Sequence, residues 1–248
     1  MKIAVSGKGG VGKTTISANL ARLLHQAGKE VFAVDADADS SLGLALGLSE
    51  EELRLVKPII EMQDEIKALA GDGAMYTLNP SVKDVADKYS IDAGGIKFLR
   101  MGGIKQGGSA CYCKENTFLR AIVMSLILDS NEYIIMDMGA GIEHLTRGTS
   151  RGVDMIIIVV EPGRASMETG RTVEKLAREL GIENIKYIAN KVRSDQDASF
   201  IRGYIDQDKL LGIIHYDDEI SERGMGLKSY TDAVENDELQ EVLEQILL

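Results

Sequence analysis

Short runs of β-branched and aliphatic residues recur along the chain and alternate with longer amphipathic stretches. Several of these runs are apolar at every position, which is typical of strands buried on both faces of a parallel sheet. The pattern predicts strands at Lys2–Ser6, Glu30–Asp35, Ile96–Met101, Tyr133–Asp137, Met155–Val160, Ile185–Asn190 and Leu210–Ile214. It predicts helices at Thr14–Ala27, Asn116–Asp129, Met167–Leu180 and Thr231–Leu247.

This alternation favours an α/β fold, with a doubly wound, mostly parallel sheet flanked by helices and a site at the carboxyl ends of its strands. Gly28 and Gly181 follow two of the helices, where a left-handed C-cap is expected. Since there is no internal repeat and no linker rich in proline or serine, residues 1–248 are predicted to form one domain. Ser49–Ala70 is charged and helix-prone, whereas Gly71–Gly95 shows no clear pattern.

The composition narrows the classes of function. The chain has 28 Lys and Arg against 39 Asp and Glu, a formal charge of −11, which argues against binding to nucleic acid or to an anionic membrane. Its two cysteines are too few for a disulfide scaffold and indicate a reducing compartment. The N-terminus lacks the apolar stretch of a signal peptide, and the apolar run at Met155–Val160 is too short for a bilayer. We therefore expect a cytoplasmic protein.

A phosphate-binding motif follows the first predicted strand. Residues 7–15 read GKGGVGKTT and lead into a helix, which is the P-loop pattern in its strand–loop–helix context. Glycines let successive backbone N–H groups wrap a phosphate, and the helix N-terminus adds positive charge. Lys13 is predicted to bridge the β- and γ-phosphates of ATP, and the Thr14 hydroxyl to hold Mg²⁺. The predicted nucleotide-binding residues of the loop are Gly9, Gly10, Val11, Gly12, Lys13, Thr14 and Thr15.

A second lysine in the loop, Lys8, carries a resemblance to a known family. The segment Lys8–Thr15 (KGGVGKTT) is similar to the loop of the deviant P-loop ATPases, which include the nitrogenase iron protein and the MinD and ParA ATPases. The resemblance implies a homodimer in which Lys8 reaches the partner's nucleotide, as an arginine finger would.

Two further segments end predicted strands with carboxylates. Asp137 closes Tyr133–Asp137 as the Walker B acid would, and is predicted to hold Mg²⁺ through a water. The resemblance makes Met138–Glu143 a second switch and Asp35–Ser41 the first, where one carboxylate orients the attacking water. Asp37 fits the spacing of the partition ATPases and Asp39 that of the iron protein, so both remain candidates.

Asn190 ends another predicted strand and resembles the family's asparagine that reads the purine base. A carboxamide suits that role because it both donates and accepts hydrogen bonds. Many relatives carry proline at the position of His215, so the shape of the base pocket is expected to differ here.

The two cysteines stand one residue apart, as Cys111-Tyr112-Cys113, in a glycine-rich loop before a predicted helix. A helix N-terminus favours the thiolate, which binds metals. Two thiolates fill half of a four-coordinate site, and a two-fold dimer would supply four. For a site made only of thiolates, ligand chemistry alone favours Zn²⁺.

The P-loop, the switches and this Cys-x-Cys together resemble the CooC-type ATPases, which help to insert nickel into carbon monoxide dehydrogenase. The resemblance implies Ni²⁺ as the cargo and that enzyme as the client. An iron–sulfur reductase would need another cysteine near Met138–Gly141, which has none. A membrane-positioning ATPase ends in a basic helix, whereas residues 235–244 here are acidic.

Overall fold

The computed structural model describes residues 1–37, 41–62, 89–102, 132–139, 153–224 and 236–248. The strands are β1 (Lys2–Gly7), β2 (Val31–Asp35), β3 (Ile91–Ala93), β4 (Ile96–Arg100), β5 (Tyr133–Asp137), β6 (Met155–Val160), β7 (Ile185–Val192) and β8 (Leu210–His215). The helices are α1 (Lys13–Gln26), α2 (Leu42–Ala45), α3 (Glu50–Leu55), α4 (Arg164–Glu179), α5 (Asp195–Arg202), α6 (Asp218–Gly224) and α7 (Asp237–Leu247), with a 3₁₀ turn at Ile59–Glu61.

The strands form one sheet in the order β3-β4-β2-β5-β1-β6-β7-β8. All neighbouring pairs are parallel except β3 and β4. From the inner strand β1 the chain builds first one side of the sheet and then the other, so the fold is α/β and doubly wound, as predicted. In such a sheet the ligand crevice lies at the carboxyl ends of the strands, near the point where the winding changes direction.

Both faces of the sheet are covered, which explains the uninterrupted apolar runs. Every residue of β2 and β6 is buried. In β1 the side chains of Ile3 and Val5 belong to one core cluster and Ala4 to the other, as the alternation of side chains along a strand requires. The first cluster includes apolar residues of α1 and α7, and the second those of α4. The P-loop is therefore anchored on a strand that is packed from both sides.

The predicted strands are confirmed, with ends that shift by no more than two residues. Gly28 and Gly181 have φ values of 77° and 84°, which confirms the left-handed caps. The described part of Ser49–Ala70 contains α3, whose Ser49 and Glu52 form a capping box. The predicted helix at Asn116–Asp129 lies outside the described residues.

The first and last strands of the chain, β1 and β8, belong to the same sheet, which supports a single domain. Its predicted extent over residues 1–248 stays a prediction. None of the helices in the described ranges is long and apolar enough to cross a bilayer.

Candidate functional site

The P-loop begins where β1 runs directly against β6. A Cβ placed on Gly7 would lie 2.2 Å from the carbonyl oxygen of Val159 on the neighbouring strand, so only glycine fits at this position. Helix α1 then starts after Gly12, which has a φ of 97° and gives the helix no side-chain cap. The first N–H groups of a helix have no partner within the helix and bind an anion well. The loop therefore has the backbone arrangement of a phosphate cradle.

Both lysines of the motif lie at this loop. The side chain of Lys13 is buried, and its Nζ donates to the carbonyl oxygen of Lys8 at 3.3 Å. The same carbonyl accepts the N–H of Val11 at 3.4 Å, which closes the turn. Lys13 thus lies inside the cradle, whereas Lys8 is partly exposed. The reach of Lys8 across a dimer stays a prediction.

Asp137 lies beneath the P-loop and is fully buried. Its carboxylate accepts the hydroxyl of Thr14 at 2.6 Å and that of Ser17 at 3.2 Å. Burial raises the pKa of Asp137 to about 6, although both hydroxyls and the charge of Lys13 act in the opposite direction. A buried carboxylate beside a hydroxyl and a phosphate cradle provides the hard oxygen donors that Mg²⁺ prefers. The residues present therefore fit the predicted Mg²⁺ site.

Asp35 is a second buried acid; the sequence placed it at the end of a strand and in the first switch, but its pairing with Asp137 was not predicted. It ends β2 and pairs in register with Asp137 at the end of β5. Burial and the charge of Asp137 raise the pKa of Asp35 to about 7. Its carboxylate accepts the N–H groups of Leu42 at 3.1 Å and Asp37 at 3.3 Å, so it binds the backbone within the first switch and directly after it. The signal was available, because Asp35 ends a buried strand as Asp137 does.

The structure leaves open the choice between Asp37 and Asp39. Asp39 lies outside the described residues. Asp37 lies next to the second switch, since a Cβ placed on Gly139 would be 3.6 Å from its Oδ1. The carboxylate that orients water stays a prediction for either residue.

A pocket of about 350 Å³ lies between the P-loop and the ends of β7 and β8. Asn190, His215 and Tyr216 line it, so the two segments predicted to form the base pocket do meet there. The Nδ2 of Asn190 donates to the carbonyl of Val11 at 2.8 Å, and the Asn190 side chain thus supports the P-loop. Its reading of a purine stays a prediction.

Other contacts fix the far wall of this pocket. The guanidinium of Arg193 lies 3.7 Å from the centre of the Tyr216 ring. The backbone N–H of His215 donates to Glu238 of α7 at 2.8 Å. The C-terminal helix therefore helps to position the end of β8.

Cys111 and Cys113 lie outside the described residues, and so does the second switch beyond Gly139. The metal site across a dimer stays a prediction.

The family model of the CobQ/CobB/MinD/ParA nucleotide-binding domain matches residues 2–228. The chain belongs to this family. It is a nucleotide-binding ATPase, and the resemblance to deviant P-loop ATPases is confirmed.

Relatives agree with this assignment, and solved structures share the fold. The carbon monoxide dehydrogenase accessory protein CooC of Rhodospirillum rubrum is 43% identical over 89% of this chain and 85% of its own. The septum site-determining protein MinD of Synechocystis is 30% identical over 78% of this chain and 65% of its own. The ParA family ATPase of Chlorobium tepidum superposes with a TM-score of 0.71 at 18% identity, covering 100% of this chain and 97% of its own. MinD of Pyrococcus horikoshii, complexed with Mg-ADP, gives 0.68 at 21% identity, covering 99% and 95%. The resemblance to CooC-type ATPases is thereby confirmed.

Proposed function

We propose that this protein is an ATP-dependent metallochaperone that serves the maturation of carbon monoxide dehydrogenase. ATP binding and hydrolysis would control dimerisation and the binding of Ni²⁺ or Zn²⁺ between the subunits. The observation that carries this proposal is the 43% identity with CooC, an accessory protein of that enzyme, over most of both chains. A switch of this type needs to change state only once per delivery, so slow turnover is expected.

The site supports roles for individual residues. The backbone of the P-loop and Lys13 would bind the phosphates of ATP, and Thr14 and Asp137 would hold Mg²⁺. When bound, Mg²⁺ supplies positive charge that neutralises the phosphate oxygens. Asp37 or Asp39 orients the attacking water.

A dimer would give a role to Lys8 and would complete the metal site that two cysteines of one subunit can fill only by half. Lys8 extends from the cradle toward the partner's nucleotide, and Cys111 and Cys113 of two subunits provide four thiolates for one metal ion. Closure on ATP would change the distance between the two Cys-x-Cys segments and therefore their affinity for metal.

Equilibrium dialysis with Ni²⁺ and Zn²⁺ tests the metal site. Wild type should bind about one ion per two chains, as four-thiolate coordination requires. The double variant Cys111→Ala/Cys113→Ala should lose this binding while it keeps its affinity for ATP. Unchanged metal binding in the double variant would contradict the proposal.

Size-exclusion chromatography with ATP tests the role of Lys8. Lys8→Ala should remain a monomer under conditions in which wild type dimerises. Lys175→Ala is the matched control, because that lysine is 77% exposed on α4 and pairs with Glu179 of the same helix. Normal dimerisation of Lys8→Ala would refute the trans role.

Two other functions remain as alternatives. A MinD- or ParA-type positioning ATPase is favoured by the solved structures, but α7 turns its apolar residues into the core and carries four acids and no basic residue. Such a helix is repelled by an anionic bilayer. Stimulation of ATP hydrolysis by DNA or by anionic liposomes would support that alternative. An iron–sulfur reductase like the nitrogenase iron protein would be recognised by brown colour after anaerobic purification.

A further inference from the structure

Lys191 lies where β7 departs from regular strand geometry. Its φ is 59°, and within the described ranges it is the one non-glycine residue with a positive φ. A left-handed backbone is unfavourable for a residue with a Cβ, and it persists only where the surrounding contacts hold it. The conformation of Lys191 therefore needs a structural cause.

A β-bulge provides that cause. The register between β7 and β8 shifts between Ala189 and Val192, so that Asn190 and Lys191 together stand opposite a single residue of β8. In a regular strand two successive side chains point to opposite faces of the sheet. A bulge changes their directions, and here it lets both side chains reach the same loop.

Both side chains donate to the P-loop backbone. The Nζ of Lys191 lies 2.6 Å from the carbonyl oxygen of Gly10, and the Nδ2 of Asn190 lies 2.8 Å from that of Val11. In a trans peptide the C=O and the following N–H point in opposite directions. Holding these two carbonyls therefore sets the directions of the N–H groups of Val11 and Gly12. The bulge thus fixes the orientation of two successive peptide planes of the cradle.

We propose that Lys191 is a positioning residue for the phosphate chain of ATP. Its ammonium holds the Gly10 carbonyl, so that the P-loop is set for phosphates before the nucleotide arrives. Preorganisation of this kind lowers the cost of ordering the loop on binding. Because the cradle contacts the phosphates in both the bound substrate and the transition state, its loss should weaken binding more than turnover.

The variant Lys191→Met keeps the apolar stem and removes the donor. The Kd values for ADP and ATP and the apparent KM for ATP should rise about 10-fold, while kcat stays within about twofold. Lys191→Arg should restore most of the affinity, since a guanidinium can donate to the same carbonyl. Lys186→Met is the matched control, because Nζ of Lys186 donates to the carbonyl of Asp208 at 2.8 Å near the other end of β7. That control should leave KM unchanged.

A second variant separates the effect of losing the ammonium from the effect of relieving the left-handed backbone. Lys191→Gly tolerates the left-handed φ and also lacks the donor, so it should match or exceed the wild-type Tm and still bind nucleotide as weakly as Lys191→Met. Normal KM in Lys191→Met would overturn the proposal, as would normal affinity in Lys191→Gly. A loss in kcat with KM unchanged, or an equal loss of affinity in Lys186→Met, would also overturn it.

Discussion

The glycine that precedes α1, Gly12, offers a quantitative test of how the nucleotide site is built. Gly12 has a φ of 97°, and a Cβ placed on it would lie 2.3 Å from Nδ2 of Asn190. The substitution Gly12→Ala therefore introduces two separate costs. The backbone is strained, and the amide must move away from the carbonyl of Val11, to which it donates at 2.8 Å.

The two costs can be estimated separately. A left-handed backbone costs a residue with a Cβ about 1–2 kcal/mol. Loss of a buried hydrogen bond adds about 1 kcal/mol, and more if a polar group is left without a partner. We expect Gly12→Ala to lower the free energy of unfolding by about 2–4 kcal/mol. Gly28→Ala should cost only the first amount, because its φ is 77° and nothing lies within 4 Å of its added Cβ.

Urea unfolding of the nucleotide-free protein measures both variants. The structure also predicts that Gly12→Ala costs less in the background Asn190→Ala, because the side chain that would be displaced is then absent. The coupling between the two substitutions should be about 1 kcal/mol or more, as for residues in contact. If Gly12→Ala costs no more than Gly28→Ala and shows no coupling to Asn190→Ala, then Asn190 does not support the loop as described.

Two other polar contacts lead to predictions. Tyr187 donates to the carboxylate of Glu174 at 2.6 Å, so Tyr187→Phe should lower stability at pH 7 by about 1.5 kcal/mol in urea unfolding. Burial raises the pKa of Glu174, but this hydrogen bond and nearby cations bring it below its ordinary value. The Glu174 carboxylate therefore adds stability at pH values above its unfolded pKa, and this stability is lost as the pH falls through the lower folded pKa. The difference between the two proteins should shrink once the pH is below the ordinary glutamate pKa of about 4.3, and a constant difference would contradict this. Thr14→Val should abolish Mg²⁺-dependent ATP hydrolysis. Ser17→Ala removes only the longer hydrogen bond to the Asp137 carboxylate and should reduce hydrolysis less. Equal losses in the two variants would contradict the Mg²⁺ role of Thr14.

Sequence patterns identified the strands that are buried on both faces, since such strands need apolar residues at every position. They missed β3, because Ile91–Ala93 is only three residues long and includes an exposed Asp92. They also missed α5, although Ser194 before Asp195 and Asp197 is a readable helix start, and Ser194 does cap the helix. Local propensity is strong at such a start, but α5 has only eight residues and therefore little periodicity.

Some residues of the nucleotide site could likewise be predicted from the sequence, and others could not. The P-loop and Asp137 could be predicted because their spacing along the chain is fixed by the phosphate that they bind. The pairing of Asp35 with Asp137 and the contact of Lys191 with the loop could not be predicted, since they depend on which strands are neighbours and on where a strand contains a bulge. Strand order and bulges arise from the packing of the whole sheet, which no short segment encodes.

The unfavourable features of this structure concentrate where the nucleotide would bind. Two acids are buried at adjacent strand ends, each with a raised pKa, and the side chain of Lys191 is carried on a left-handed backbone. Neither the buried acids nor the backbone conformation of Lys191 stabilises the nucleotide-free fold, so the rest of the sheet must hold them in place. Binding of a phosphate chain with its cation would relieve the repulsion between Asp35 and Asp137 and use the preset loop. Affinity for nucleotide and the stability of the nucleotide-free protein should therefore be opposed at these positions, and Lys191→Gly is the variant in which that opposition can be measured directly.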